Sequence, residues 1–239
     1  MCGRYTLSSE LDELVETFDV SEVVLANHRP RFNIAPTQEA PVVVQGPHGR
    51  RLGALRWGLV PYWAEDPAVG NRMINARSES VLSRRAFREA FRRRRCLVPA
   101  DGFYEWMPVE ETSSGGEPVR ARRPAIRKVP FWIHRPDRRP FAFAGLWERW
   151  RPADGAEPLL TFTILTTEPS DELRPLHDRM PVVLPYDRLP LWLDREAPVQ
   201  ALLDVLGPAP EGSFEAWPVG TLVSSPGFDE PSCIEPLAG

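Results

Sequence analysis

The stretch Cys96-Leu97-Val98-Pro99-Ala100-Asp101-Gly102-Phe103-Tyr104-Glu105-Trp106 sets the reading of the fold. Residues 96–99 and 103–107 are rich in β-branched and aromatic side chains, which favour strands. Asp101-Gly102 between them is a turn signal. Similar runs follow at 130–134, 141–147 and 159–166. Upstream, residues 41–45 and 52–60 also read as strands, with Gly46-Pro47-His48-Gly49 as the hairpin loop between them. Phe214 to Val223 is expected to return as strand. Helical signals are short. Residues 9–18 carry Leu11, Leu14, Val15 and Phe18 at helical spacing behind a candidate Ser9 cap. Residues 83–94 place Ala86, Phe87, Ala90 and Phe91 on one side. A helical turn over 170–176 capped by Ser170, and two short helices over 187–206, complete the set. Residues 110–125, rich in Glu, Ser, Gly and Arg, read as an exposed loop. The expectation is one α+β domain over 1–239, with a curled, barrel-like, mainly antiparallel β core flanked by short helices.

The composition narrows the function. The chain has 239 residues, 42% hydrophobic and 26% charged, enough for a sizeable core and unlike a disordered chain. No apolar run reaches the roughly 18 residues of a membrane helix. The N-terminus lacks the apolar stretch of a secretory signal, so a cytoplasmic protein is expected. Three scattered cysteines give no disulfide framework, and no CxxC or HxxxH pair suggests a metal site. The 27 prolines imply many turns. Lys128 is the only lysine, so the cationic charge is nearly all arginine, a group suited to bidentate phosphate binding. A net charge of −4 argues against polyanion binding by the whole surface and leaves room for a local basic cleft.

Cys2 is the most informative residue. A small side chain at position 2 permits removal of Met1, which leaves an α-amine and a thiol on one residue. Their reference pKa values, about 7.7–8.0 and about 8.5, make both partly reactive near neutral pH. The amine can form an imine with an aldehyde, and the thiol can then close a thiazolidine ring. Against this stands a plain small residue near a chain end. Glu105, between Tyr104 and Trp106, can sit in an apolar wall with a raised pKa, or face solvent by alternation. His177 lies beside Asp178 and Arg179, in a polar site or a structural one. Asn75 follows a strand-like Arg72-Met73-Ile74. Trp57 and Trp63 are candidates for base stacking or for the core. The arginines at 92–95 read as a solvated helix end.

Together these segments resemble the SRAP family (SOS response-associated peptidase), abasic-site-shielding proteins of bacteria and eukaryotes. The matching pieces are MCGRY at 1–5, RFNIAPTQ at 31–38, RWGLVPYWA at 56–64 and MINARSES at 73–80. They continue with RCLVPADGFYEW at 95–106, FAGLWE at 143–148, TILTT at 163–167 and HDRMPVVL at 177–184. They stand in family order across nearly the whole chain. The resemblance implies a barrel-like α/β fold with a basic DNA groove. It also implies covalent capture of abasic sites in single-stranded DNA through Cys2. Asn75 and Glu105 then line the pocket and His177 is the acid/base partner. Arg4, Arg77, Arg85 and Arg179 match phosphate-holding positions, and Trp63 and Pro36 are candidates for unstacking bases. Two segments depart from the family pattern, the loop at 110–125 and the stretch Ser224-Ser225-Pro226-Gly227-Phe228 ahead of Cys233.

The implied reaction uses no metal and no organic cofactor. Weak lyase activity and slow self-reversal are expected beside it. A monomer is expected, with abasic single-stranded DNA as partner, replication-fork proteins as further candidates and no membrane. Two rivals remain: an N-terminal-nucleophile cysteine peptidase or amidohydrolase, and a noncovalent single-strand reader.

Overall fold

The computed structural model describes residues 2–110 and 126–237. In chain order the elements begin with β1 (Tyr5–Leu7), α1 (Leu11–Thr17), β2 (Val20–Val23), β3 (Arg31–Ile34), β4 (Glu39–Gly46) and β5 (Gly49–Trp57). They continue with β6 (Asn75–Arg77), α2 (Arg85–Arg93), β7 (Arg95–Ala100), β8 (Gly102–Glu110), β9 (Ile126–His134) and β10 (Phe141–Trp150). The chain then forms β11 (Leu159–Thr167), β12 (Met180–Pro181), β13 (Val183–Leu184), α3 (Leu189–Leu193), α4 (Val199–Leu203) and β14 (Glu215–Pro218).

Strands β11, β10, β7, β4 and β5 pair in that order, antiparallel throughout. A parallel contact of β5 with β11, Thr161 opposite Arg56 and Phe162 opposite Trp57, closes them into a five-stranded barrel. A second sheet, β14-β9-β8-β1-β3, lies beside it. The expected α+β architecture with a mainly antiparallel barrel is what the chain forms. Trp57, Tyr5, Phe143 and Phe162 fill its middle, all fully buried, with edge-on contacts of Tyr5 to Trp57 and Phe143 at 5.3 and 5.8 Å.

The decisive stretch lies where the two sheets meet. β7 ends at Ala100, the chain turns at Asp101, and β8 leaves in the second sheet. Asp101 is buried, and its carboxylate anchors the corner. It accepts from the Thr6 hydroxyl (2.5 Å), the Ser9 N–H (2.9 Å), the Ser8 hydroxyl (2.8 Å) and the Ser8 N–H. Gly102 is required there, because a Cβ would lie 2.2 Å from the Trp132 indole nitrogen.

Several boundaries differ from expectation for physical reasons. Ser9 does not cap α1; its N–H and hydroxyl serve Asp101, and Glu10 takes the cap position without a side-chain bond. The strand expected over 52–60 stops at Trp57, because Gly58 turns the chain at φ 120°. Arg72 ends a 3-10 turn, and strand begins only at Asn75. Ser170 offers its main-chain carbonyl, not its hydroxyl, to Leu173 and Arg174, and residues 171–176 form turns instead of a helix. The strand expected over 214–223 ends at Pro218, and a 3-10 turn spans Thr221–Ser224. The arginine run divides. Arg92 and Arg93 are exposed, Arg94 pairs with buried Glu148 at 2.8 Å, and buried Arg95 donates to the carbonyls of Phe91, Arg92, Trp192 and Asp194. The expected loop at 110–125 lies outside the described residues, apart from Glu110 at the end of β8.

Candidate functional site

Cys2 enters just ahead of β1, between the barrel and the second sheet, and is fully buried. Its carbonyl accepts from Asn75 Nδ2 at 2.8 Å. Asn75 opens β6, which lies parallel on β11 with Ile164 opposite Asn75. That pairing buries Ala76 and leaves Asn75 and Arg77 on the other face, as strand alternation requires. Asn75 Oδ1 is buried and has no hydrogen-bond partner among the described residues. Burial pushes the Cys2 thiol well up from its ordinary pKa, and the charge of Glu105 adds to the effect.

Glu105 sits on β8 opposite Phe131 and is 4% exposed. The apolar-wall alternative is therefore the one the fold adopts. Burial raises its pKa to about 7, with the Asp178 charge adding and the Lys128 charge opposing. His177 Nε2 stands 3.9 Å from Glu105 Oε2. The Arg179 N–H donates to His177 Nδ1 at 3.0 Å, which makes Nδ1 an acceptor and puts the neutral ring's proton on Nε2, facing Glu105. Asp178 Oδ1 lies 2.8 Å from the same Nδ1 and accepts from it whenever Nδ1 carries a proton. Burial lowers the His177 pKa and raises that of Glu105, so it favours the uncharged form of each. Glu105 and His177 line one cleft of about 370 Å³ with Trp106, Lys128 and Ser224.

A second cleft of about 430 Å³ opens on the Asn75 side. Trp63, Arg72, Arg77, Arg84 and Arg85 line it together with Asn75. Trp63 is 38% exposed, and the Arg85 guanidinium lies 4.4 Å over its ring. Trp57, by contrast, is core; its indole N–H is spent on the Ile74 carbonyl at 2.8 Å.

The structure thus brings Cys2, Asn75, Glu105 and His177 together, with Arg77, Arg85 and Trp63 beside them. Arg179 lies close to His177 but is engaged. Its guanidinium takes both Glu79 oxygens, at 2.5 and 3.0 Å, and the Thr166 carbonyl at 2.6 Å. Arg4 turns inward and donates to Asn33 Oδ1, Val223 O and Ser224 O. Pro36, in the turn after β3, lines neither cleft. Sequence reasoning missed Arg72 and Arg84, although Arg84 adjoins Arg85. It also missed Lys128, whose signal was its being the sole lysine. Among the described residues, no group of three or more His, Cys, Asp or Glu side chains is placed to hold a metal ion.

The family model for SOS response associated peptidase (SRAP) matches residues 1–226. The chain belongs to the SRAP family. Among SRAP relatives it is 37% identical over 237 residues to the abasic site processing protein YoqW of Bacillus subtilis, covering 98% of this chain and 99% of that one. It is 33% identical over 230 residues to the abasic site processing protein HMCES of Gallus gallus, covering 88% of this chain and 67% of the relative. A crystal structure of a Bacteroides thetaiotaomicron protein superposes with a TM-score of 0.81 at 20% identity, over 99% of this chain and 100% of that one, and shares the fold. A Bordetella bronchiseptica protein superposes at 0.72 with 27% identity, over 92% of this chain and 100% of that one.

Proposed function

We propose that this SRAP protein processes abasic sites in DNA by capturing them covalently on Cys2, in single-stranded DNA. The observation that carries the reading is the convergence of Asn75, Glu105 and His177 on Cys2. Relatives named as abasic site processing proteins support it.

Removal of Met1 leaves the α-amine on Cys2, the residue whose carbonyl Asn75 Nδ2 holds. The abasic sugar enters as a closed hemiacetal. Opening it takes one proton from the C1′ hydroxyl and puts one on the ring oxygen. Glu105 serves the hydroxyl and the amine, and His177 serves the ring oxygen. The pair carries one proton beyond the Nε2–H; in the reacting form it lies on His177 Nδ1, against Asp178 Oδ1, which leaves Glu105 a carboxylate base and the Nε2–H the donor to the ring oxygen. The amine then attacks the C1′ aldehyde, and water leaves as the imine forms. Addition of S–H across C=N bonds sulfur to carbon and places the proton on nitrogen, so a thiol held un-ionised by burial is competent. Elimination from the imine accounts for weak lyase activity, and protonation of the ring by Glu105 for slow reversal.

Arg77 and Arg85 hold phosphates, and Trp63 carries a neighbouring base. Arg179 joins them by exchanging Glu79 for a phosphate. Arg4 adds charge from behind, and Pro36 flanks the unstacked bases. The protein acts as a monomer in the cytoplasm, on the cell's own DNA, where replication-fork proteins can meet it.

Denaturing electrophoresis after mixing with abasic single-stranded DNA tests the reading. A stoichiometric band that survives denaturation is expected. Multiple turnover with released product supports a peptidase or amidohydrolase instead. Binding that persists without Cys2 and never becomes covalent supports a noncovalent reader.

A further inference from the structure

Two residues with no part in the steps above converge on the Glu105–His177 cleft: Lys128 and Ser224. Lys128 is exposed on β9, opposite Pro108 of β8, and its charge acts on both Glu105 and His177. Ser224 is held in place through its main chain. Arg4 donates to the Val223 carbonyl at 2.6 Å and to the Ser224 carbonyl at 3.2 Å, and Asn33 Nδ2 donates to the Val223 carbonyl at 3.0 Å. The Ser224 hydroxyl accepts from the Trp106 indole N–H at 3.2 Å. A hydroxyl that accepts one bond keeps its own proton to donate. The cleft therefore presents an ammonium and an oriented hydroxyl donor beside the proton-transfer pair.

We propose that Lys128 and Ser224 form a phosphate subsite, which holds the backbone phosphate on one side of the reacting sugar while the arginine cleft holds the other. This rests on the abasic-site reading. An internal abasic sugar carries a phosphodiester on each side. The arginines lie in the cleft on the Asn75 side of Cys2, and Lys128 is the cation lining the cleft on the Glu105 side. A strand crossing Cys2 brings its second phosphate toward Asp178, whose carboxylate repels it. A compact ammonium with three rotatable donors offsets that repulsion and follows a flexible backbone. Arg4 acts here as a positioning residue, since its bonds to residues 223 and 224 aim Ser224 into the cleft.

The test uses the full chain, the variants Lys128→Met, Lys128→Arg and Ser224→Ala, and three single-stranded oligonucleotides. One carries an internal abasic residue, one a 5′-terminal abasic residue without its 5′ phosphate, and one a 3′-terminal residue without its 3′ phosphate. Lys128→Met is expected to weaken noncovalent binding and subsaturating capture of the internal site about tenfold, as for one lost charged hydrogen bond. It should also lower the salt slope by about 0.7. Lys128→Arg should restore most of the loss, and Ser224→Ala should show a smaller one. On one terminal substrate, the one lacking the phosphate that Lys128 holds, Lys128→Met should match the wild type. Equal losses on all three substrates, no loss on any, or a borohydride-trapped imine on Lys128 would overturn the subsite. A wild type that captures none of the three would overturn the abasic-site reading, and the subsite with it.

Discussion

The two clefts beside Cys2 are built from opposite materials. The one on the Asn75 side is lined by Arg72, Arg77, Arg84 and Arg85 around a half-exposed indole, with the arginines open to solvent. The one on the Glu105 side holds a carboxyl that is almost wholly buried, its pKa raised to about 7, against an imidazole whose pKa burial lowers. Fixed charge in water serves binding and is screened by salt. A desolvated acid–base pair serves proton transfer. Changes in one cleft should therefore move affinity and those in the other should move rate.

The largest effect is expected from Glu105→Gln. Capture at saturating abasic DNA should slow by about a hundredfold or more, with noncovalent affinity unchanged. A proportional loss of affinity would merge the two roles. The pH profile sharpens this. In the proposed mechanism the Glu105–His177 pair works with one shared proton, so the wild-type capture rate should turn downward as pH rises through about 7, and that limb should be absent in Glu105→Gln.

Arg77→Ala and Arg85→Ala come next. Each should weaken noncovalent binding about tenfold and lower the salt slope by about 0.7, with the capture rate at saturation retained. Titrations at several salt concentrations read both. An unchanged slope in both variants would place these arginines outside the DNA path. Trp63→Ala should cost less, a few-fold in affinity with the salt slope intact, because stacking releases no counterions.

A stability difference follows from the same buried carboxyl. Its folded pKa lies above the unfolded value of about 4.3, so the folded chain binds the proton more tightly. The stabilisation is full below the unfolded pKa and is lost as pH rises through about 7. Glu105→Gln should therefore melt like the wild type near about pH 4 and be more stable by about 3 kcal/mol near about pH 8.5. Thermal unfolding at the two pH values checks the sign.

The strands around Asp101 were legible because period-two alternation and a turn residue are local signals. Position left Cys2 between a nucleophile and a plain chain-end residue, and aromatic neighbours left Glu105 between a wall and solvent; the family motifs singled both out. Long-range competition was not legible. Ser9 looks like a cap until the Asp101 carboxylate, brought from across the fold, takes its N–H and hydroxyl. Arg94 and Arg95 look solvated until Glu148 and the end of α3 close over them. Nothing in MCGRY says that the Arg4 guanidinium turns to carbonyls more than two hundred residues away. The Glu105 cleft draws on residues 105, 106, 128, 177 and 224, which only the sheet pairing and the Arg4 clamp bring together.

The central claim is that an amine and a thiol on one residue do the chemistry. Intact-protein mass spectrometry after incubation with abasic single-stranded DNA tests it, on the wild type, on Cys2→Ser, and on a chain that retains one extra residue ahead of Cys2. The wild type should carry a stable adduct. Cys2→Ser should yield only an imine that borohydride must trap, and the extended chain should yield none although its thiol is intact. A stable adduct on the extended chain would contradict the account and move the chemistry to a side-chain nucleophile.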